Sequence, residues 1–241
     1  TPPVIIDKDF YIPLRYIVEE FGYHIAFCPD HRTYYLSTDV DNILELECEK
    51  IEPKPLELSI SGKLPLWGSL LDTTVFSPLY ADEKLISGYY TTLINSSPVR
   101  TNNIRIAAEV IDNMIIFPGK VFSFNQVVGE RTTQKGYQEA PIFVGKKVVP
   151  GVGGGICQIT STLYNTALLG DFTIVERYPH SLEVTYVAPN LDASVAWPTI
   201  DFKFQNNYDF PVKLIVKVVG DYVVTGIIDT RDTNLEPSIQ E

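Results

Sequence analysis

The chain has 241 residues, of which 45% are hydrophobic and 20% are charged, with 15 glycines and 17 prolines. This composition indicates a folded globular protein, and the length suffices for one large domain or two smaller ones. The formal net charge of −11 argues against a nucleic-acid partner, because phosphate backbones require a basic patch. The chain has no apolar run of the roughly 18 residues that a spanning helix needs, so no membrane span is expected in it.

Residues 1–38 predict a small hairpin–helix–hairpin module. Residues 5–6 and 10–12 are strand-like around a turn, and a second hairpin pairs 23–27 with 33–36. Between them, residues 13–22 predict a helix that begins at a proline and ends at a glycine. This segment resembles the copper amine oxidase N-terminal-like domain, an accessory module of bacterial surface proteins. The resemblance carries no implication of copper.

No metal site is predicted in this module. His24, Cys28 and His31 have metal-binding side chains, but alternation along a hairpin would scatter them. Cys28 and Cys48 are candidates for a disulfide, and an odd total of three cysteines leaves at least one thiol unpaired within the chain. Residues 39–84 contain several prolines that interrupt any long periodic segment, and they predict a connector that contributes strands.

Residues 85–241 predict an α+β domain with a mostly antiparallel sheet, because helices are followed by a run of strands. A first helix is expected after the capping residues Asn102 and Asn103, followed by a strand at 121–125. A second helix is expected at 158–169, ended by Gly170. The predicted strands that follow are 173–176, 182–187, 194–197, 200–205, 212–219 and 222–228.

A glycine run leads into the second helix and places Cys157 at its start. The N–H groups and dipole of a helix N-terminus favour a thiolate and can stabilise an oxyanion, so the N–H groups of Cys157 and Gln158 are candidates for that role. His180 follows, after the second helix and a short strand, as a candidate base, and Asp192 or Asp201 as the residue that orients it. The predicted ligand-binding residues lie in the same segment as Cys157: Gly153, Gly154, Gly155, Gln158 and Ser161.

No cofactor is predicted, because Ile156 breaks the spacing of a nucleotide-binding glycine motif and no Lys-Ser or Lys-Thr pair follows it. Two other interpretations of Cys157 stay open. Cysteine is among the most buried residue types, so Cys157 can belong to a core that has no chemistry. The glycine-lined cleft can also hold a ligand without turnover.

Residues 85–229 resemble the VanW family. The resemblance rests on separated motifs: Asn-Asn-Ile-Arg-Ile-Ala-Ala at 102–108, Pro-Gly-Lys-Val-Phe-Ser-Phe-Asn at 118–125, Val-Gly-Glu-Arg-Thr at 128–132, Gly-Tyr-Gln-Glu-Ala-Pro at 136–141, Gly-Gly-Gly-Ile-Cys-Gln-Ile-Thr-Ser-Thr-Leu-Tyr-Asn at 153–165, His-Ser at 180–181, Asp-Ala-Ser-Val at 192–195 and Asp-Phe-Lys-Phe at 201–204. Lys120 and the pair Trp197–Pro198 depart from the family pattern, and neither departure touches Cys157 or His180.

The family resemblance implies a context rather than an activity. That context is the extracellular surface or wall of a Gram-positive bacterium, with peptidoglycan or another wall component as partner and in some cases vancomycin resistance. Together with the cysteine and histidine, it predicts a cysteine transpeptidase or peptidase acting on peptidoglycan peptides. The alternative is a non-catalytic peptidoglycan- or glycan-binding surface module.

Overall fold

The structure is a computed structural model that describes residues 64–231, with gaps at 73 and 81–82, and the backbone of four strands before them. Two compact units make up the chain, Thr1–Leu58 and Ser59–Glu241. In the first unit, β1 (Val4–Ile6) pairs antiparallel with β2 (Asp9–Tyr11), and β3 (His24–Cys28) with β4 (Thr33–Ser37). Both predicted hairpins are thus present, whereas the predicted helix at 13–22 and Cys48 lie outside the described residues.

The second unit is built on a five-stranded antiparallel sheet. Its strands are β5 (Trp67–Ser69), β6 (Lys84–Thr92), β7 (Ile115–Ile116), β13 (Val212–Val219) and β14 (Tyr222–Asp229), in the spatial order β5-β6-β14-β13-β7. Two 3-10 helices, Leu70–Asp72 and Thr74–Leu79, follow β5. Part of the predicted connector therefore contributes a strand and buried side chains to this unit.

Two helices cover one face of this sheet. Helix α1 (Pro98–Ile111) packs on β13, α3 (Cys157–Leu169) packs on β6 and β14, and the two helices touch each other. Alternation along β14 sends Val223 and Ile227 toward the helices and Val224 toward the opposite face, where Leu70 and Phe76 cover it. Both faces of the central strands are therefore buried.

A second, three-stranded sheet and one hairpin complete the unit. The sheet has the order β11 (Thr173–Glu176), β12 (Lys203–Gln205), β8 (Val121–Ser123), and a short helix α2 (Phe124–Val128) follows β8. Four buried phenylalanines join this sheet to the main core: Phe122, Phe172, Phe202 and Phe204. The hairpin consists of β9 (Glu139–Val144) and β10 (Lys147–Val152) and leads directly into the glycine run.

The predicted α+β class and mostly antiparallel sheet are confirmed, and so are the last two strands and the helix after the glycines. Four element predictions are wrong. The strand expected at 194–197 is replaced by isolated bridges at Ser194 and Ala196. Helix α1 starts earlier than expected because Ser97, and not Asn102 or Asn103, accepts the Arg100 N–H as N-cap. Ser123 caps α2 in the same way, which ends the predicted strand at 121–125. Residues 182–187 form no strand in the described structure.

Polar contacts hold α3 against the sheet. The hydroxyl groups of Thr166 and Thr225 lie 2.5 Å apart, those of Thr162 and Thr91 lie 3.0 Å apart, and Ser87 donates to the Thr166 carbonyl at 2.8 Å. Because these groups are buried, an unpaired partner would cost stability. The register of α3 on the sheet, and with it the position of Cys157, is therefore fixed. None of the helices in the described ranges has the length and apolar character required to cross a bilayer.

Leu163 and Leu169 provide a matched test of this packing, since both lie on α3 but are 0% and 51% exposed, respectively. We expect Leu163→Ala to lower the free energy of unfolding by about 2–5 kcal/mol and Leu169→Ala to change it by about 0.5 kcal/mol or less. Urea denaturation followed by tryptophan fluorescence measures this, because both tryptophans, Trp67 and Trp197, belong to the second unit. Equal losses for the two variants would contradict the described burial.

Candidate functional site

The glycine run is a tightly packed loop held from two sides. Gly153 and Gly155 have positive φ angles of 83° and 108°, which side chains other than glycine rarely adopt. A Cβ on Gly154 would lie 2.5 Å from the carbonyl oxygen of Ala140 in β9. The side-chain amide of Asn103 on α1 donates to the carbonyl of Gly154 at 3.0 Å. The loop that precedes α3 is therefore held in one conformation.

Cys157 is the first residue of α3, and it is partly buried. The N–H of Val195 lies 3.5 Å from its sulfur atom and donates to it. The side chain of His180 forms a further hydrogen bond with the Cys157 sulfur. The structure therefore brings the predicted cysteine and histidine into direct contact, although a whole helix and a strand separate them in the sequence.

His180 is held by Asp192. Its Nδ1 lies 2.6 Å from Asp192 Oδ2, and the same carboxylate oxygen accepts the His180 backbone N–H at 2.6 Å. Since Nδ1 faces the carboxylate, Nε2 is left to face Cys157. Phe143 and Tyr186 present their rings edge-on to the imidazole, and the side chain of His180 is only 6% exposed. The ring thus has a single orientation.

Arg177 in turn holds Asp192. Its Nη2 pairs with Asp192 Oδ1 at 2.9 Å, and its Nε donates to the Asp192 carbonyl at 2.6 Å. The four side chains form a chain of contacts from Arg177 through Asp192 and His180 to Cys157. Sequence reasoning missed Arg177, because nothing in its local spacing indicates a contact 15 residues away.

The pKa shifts of Cys157, His180 and Asp192 each favour the charged form of the group. Burial by itself would raise the pKa of Cys157, but the hydrogen bond and charge of His180, the Val195 N–H and the charge of Arg131 lower it. Burial opposes the charge on His180, yet contact with Cys157 and then Asp192 raises the His180 pKa. Hydrogen bonds from His180 and the charge of Arg177 overcome burial and lower the pKa of Asp192. The geometry thus favours a thiolate–imidazolium pair beside an ionised carboxylate.

Asp201 is placed differently from Asp192. Its carboxylate accepts from the Ser123 hydroxyl at 2.6 Å, and from the backbone N–H groups of Asn125 and Phe202 at 2.8 Å each. Asp201 therefore secures the junction between β8 and α2. Of the two candidate aspartates, the structure brings Asp192 to His180 and uses Asp201 to hold the backbone.

The predicted ligand-binding side chains have partners within the protein. The side-chain amide of Gln158, a residue that is 1% exposed, donates to Thr91 Oγ1 at 2.9 Å and to the Thr92 carbonyl at 2.8 Å. The Ser161 hydroxyl donates to the Cys157 carbonyl at 2.8 Å and accepts from the Ala193 N–H. Direct contact of these residues and the glycines with a ligand stays a prediction.

One of the two predicted oxyanion donors is occupied, because the Gln158 N–H donates to the Gly155 carbonyl at 3.0 Å. Within residues 64–231 as described, no acceptor takes the Cys157 N–H. Of the two predicted donors, the Cys157 N–H is therefore the one that has no partner among these residues, and its role toward an oxyanion stays a prediction.

Two further arginines flank the thiol, and sequence reasoning missed both. Arg131 donates from Nη1 to Asn125 Oδ1 and to the Gly129 carbonyl, each at 2.8 Å, while its buried Nη2 has no partner among the described residues. Arg100 extends from α1, and its Cγ lies 2.6 Å from the position that a Gly155 Cβ would take. The charges of both arginines interact with Cys157. Gly153 and Gly155 make room for these two side chains, which explains part of the glycine pattern.

A cleft of about 520 Å³ adjoins the site, and Arg100, Phe143, Gln158 and Tyr186 are among its lining residues. Burial raises the pKa of Tyr186, so its phenol stays neutral, and it is hydrogen-bonded to Ser161. The described residues contain no group of three or more His, Cys, Asp or Glu side chains placed to hold a metal ion. The cleft is large enough for a short peptide segment or a small ligand.

Fold and site together define an α+β domain in which a thiol, an imidazole and a carboxylate make successive contacts at the start of a helix. The family model described as VanW like protein matches residues 99–228, more than half of the 241-residue chain, and the chain belongs to this family. The matched range contains Cys157, His180 and Asp192 together with Arg100, Arg131 and Arg177. The resemblance of residues 1–38 to a copper amine oxidase module stays a prediction.

Two curated proteins are similar to this chain. The uncharacterized protein YoaR of Bacillus subtilis is 48% identical over 138 residues, which cover 57% of this chain and 46% of YoaR. The vancomycin B-type resistance protein VanW of Enterococcus faecalis is 26% identical over 128 residues, covering 51% of this chain and 46% of VanW. The chain thus spans about half the length of these relatives. The comparison with solved structures gave no match.

The lowered pKa of Cys157 can be tested by alkylation with iodoacetamide in a variant that carries Cys28→Ser and Cys48→Ser. We expect the alkylation rate plotted against pH to have its midpoint below about 8.5, the ordinary pKa of a thiol, because iodoacetamide reacts with the thiolate. Adding His180→Asn removes the hydrogen bond and the positive charge, so burial then dominates and the midpoint moves to higher pH. A midpoint that His180→Asn leaves unchanged would contradict the described contact.

Proposed function

We propose that this protein is a cell-wall-associated cysteine acyl transferase or hydrolase that acts on peptidoglycan peptides. The observation that carries the proposal is the contact chain Cys157–His180–Asp192, with pKa shifts that favour a thiolate and an imidazolium. Burying an ion pair beside further charges is costly in free energy, and a purely structural cysteine has no need of it. A binding module without turnover would need the cleft but not the charged pair.

The first half-reaction follows from this arrangement. The Cys157 thiolate attacks the carbonyl carbon of an amide, and the Cys157 N–H donates to the oxyanion that forms. As the tetrahedral intermediate collapses, the C–N bond breaks and the His180 imidazolium gives its Nε2 proton to the leaving amine. The products are an acyl thioester on Cys157, a released amine and a neutral imidazole.

The second half-reaction restores the thiolate. Neutral His180 takes a proton from the incoming nucleophile, which attacks the thioester carbonyl as the C–S bond breaks. Water as nucleophile gives hydrolysis, and the amine of a second peptide gives acyl transfer with a new amide bond. Asp192 keeps Nε2 facing Cys157 and stabilises the imidazolium in both halves.

Family membership and the printed name of one relative support the wall context. That relative is named a vancomycin B-type resistance protein. We propose that the protein acts at the extracellular surface or wall of a Gram-positive bacterium, with peptidoglycan as its partner and a link to glycopeptide resistance. Stem peptides of peptidoglycan supply both the amide bonds and the amines that the two half-reactions need.

Purified peptidoglycan fragments provide the test, with products separated and identified by mass spectrometry. We expect Cys157→Ala to abolish product formation and Asp192→Asn to lower its rate by about 100-fold or more, because the imidazole loses its orientation. The exposed Arg105 on α1 is a matched control, and Arg105→Gln is expected to keep the wild-type rate. Fragment binding that survives Cys157→Ala without any product from the wild type would instead establish the non-catalytic binding module.

A further inference from the structure

Arg100 occupies an unusual position for an arginine. It lies in the first turn of α1 and lines the 520 Å³ cleft beside Cys157. The centre of its guanidinium lies 5.9 Å from the centroid of the Tyr186 ring, and its Nη1 donates to Ser96 Oγ at 3.3 Å. The close packing of its Cγ against Gly155 fixes the stem of the side chain. The guanidinium is therefore held at the cleft and near the thiol.

The positive charge of Arg100 has no carboxylate partner among the described residues. Burial lowers its pKa, and interactions with Tyr186 and Cys157 oppose this effect. Because the Tyr186 phenol stays neutral, the negative charge among these two comes from the Cys157 thiolate. The other two arginines of the site differ, because Arg177 pairs with Asp192 and Arg131 interacts with Asp201 as well as Cys157. Of the three, Arg100 depends most on the thiolate for its negative counterpart.

That counterpart disappears during the proposed reaction. Once the sulfur carries an acyl group it is a neutral thioester, and Arg100 is left as a partly buried cation without a compensating charge. A guanidinium in a cleft binds a carboxylate through paired, charge-assisted hydrogen bonds. A substrate that brings its own carboxylate would compensate the charge before and after acylation. Glu183, an acidic residue that lines the cleft, is exposed to solvent, which screens its competing charge.

We propose that Arg100 binds a carboxylate of the substrate in this cleft, so that the site selects peptides with a free carboxylate close to the attacked carbonyl. Because Arg100 packs against Gly155, two positions before Cys157, we expect the bound carboxylate to lie close to the attacked carbonyl. This specificity rests on the proposed function, since it deepens the substrate class of the same site. It predicts action near a carboxyl-terminal end or an acidic side chain.

A charge-matched pair of alkylating reagents tests the inference at the thiol itself. Iodoacetate carries a carboxylate where iodoacetamide carries a neutral amide of similar size. In the Cys28→Ser, Cys48→Ser background, we expect Arg100→Gln to lower the ratio of the iodoacetate to the iodoacetamide rate about tenfold. Arg100→Lys keeps the positive charge but loses the paired hydrogen bonds, so we expect an intermediate ratio of the two rates. If Arg100→Gln folds poorly, Arg100→Lys provides the test in its place. Arg105→Gln, on the same helix but exposed, should leave the ratio unchanged.

A binding measurement separates this inference from the proposed function. Calorimetry with Cys157→Ala protein compares acetyl-alanyl-alanine with its carboxyl-terminal amide. We expect the free acid to bind about tenfold more tightly than the amide, and Arg100→Gln to remove the difference. If the Cys157 thiol is inert but the free acid still binds more tightly than the amide, the catalytic proposal is refuted and the carboxylate-binding role of Arg100 is retained. Equal affinity for acid and amide, or an alkylation ratio that Arg100→Gln leaves unchanged, would overturn the inference.

Discussion

The carboxylate of Asp192 fixes the imidazole of His180 through two contacts, one to Nδ1 and one to the backbone N–H. This double contact determines which ring nitrogen faces Cys157, and the Arg177 pair keeps the carboxylate in place. The imidazole then offsets the cost of burying a charged sulfur, which burial alone would leave protonated. Without Asp192, the remaining groups would form a buried thiol beside a freely oriented ring.

The fold brings these residues together from distant parts of the chain. Buried hydroxyl and amide groups lock α3 on the sheet, and Asn103 ties the glycine loop to α1. The loop glycines then allow Arg100 and Arg131 to approach the thiol from two directions. The local positive charge is therefore high, although the protein as a whole carries a formal charge of −11. An anionic substrate group would meet a favourable local field despite the overall repulsion.

Local sequence signals predicted those parts of the site that depend on short-range geometry. A glycine run before a periodic segment predicted the start of α3. The strands β13 and β14 were also predicted correctly, because each is a long apolar segment. The roles of Arg100, Arg131 and Arg177 depend on contacts between separate elements, so no spacing in the sequence indicates them. Asp192 and Asp201 are equivalent in local pattern, and only their tertiary neighbours distinguish the residue that orients His180 from the one that holds α2.

Two prediction errors have clear physical causes. Residues 182–187 have the alternating pattern of a strand, but Tyr186 lies against His180 and Arg100 at the site rather than in a sheet. The hairpin of β9 and β10 was missed because its strands are largely exposed and lack a consistent apolar face. At 182–187 tertiary contacts outweigh the local pattern, whereas the hairpin has no local pattern that would have predicted it.

Nuclear magnetic resonance can observe the charged pair of Cys157 and His180 directly. Protein with ¹³Cβ-labelled cysteine and ¹⁵N-labelled histidine, in the Cys28→Ser, Cys48→Ser background, would be titrated across the neutral range. We expect a thiolate shift for Cys157 and an imidazolium shift for His180 in the same samples at neutral pH, with both signals lost when either partner is replaced. A neutral thiol beside a neutral imidazole throughout that range would contradict the charged pair.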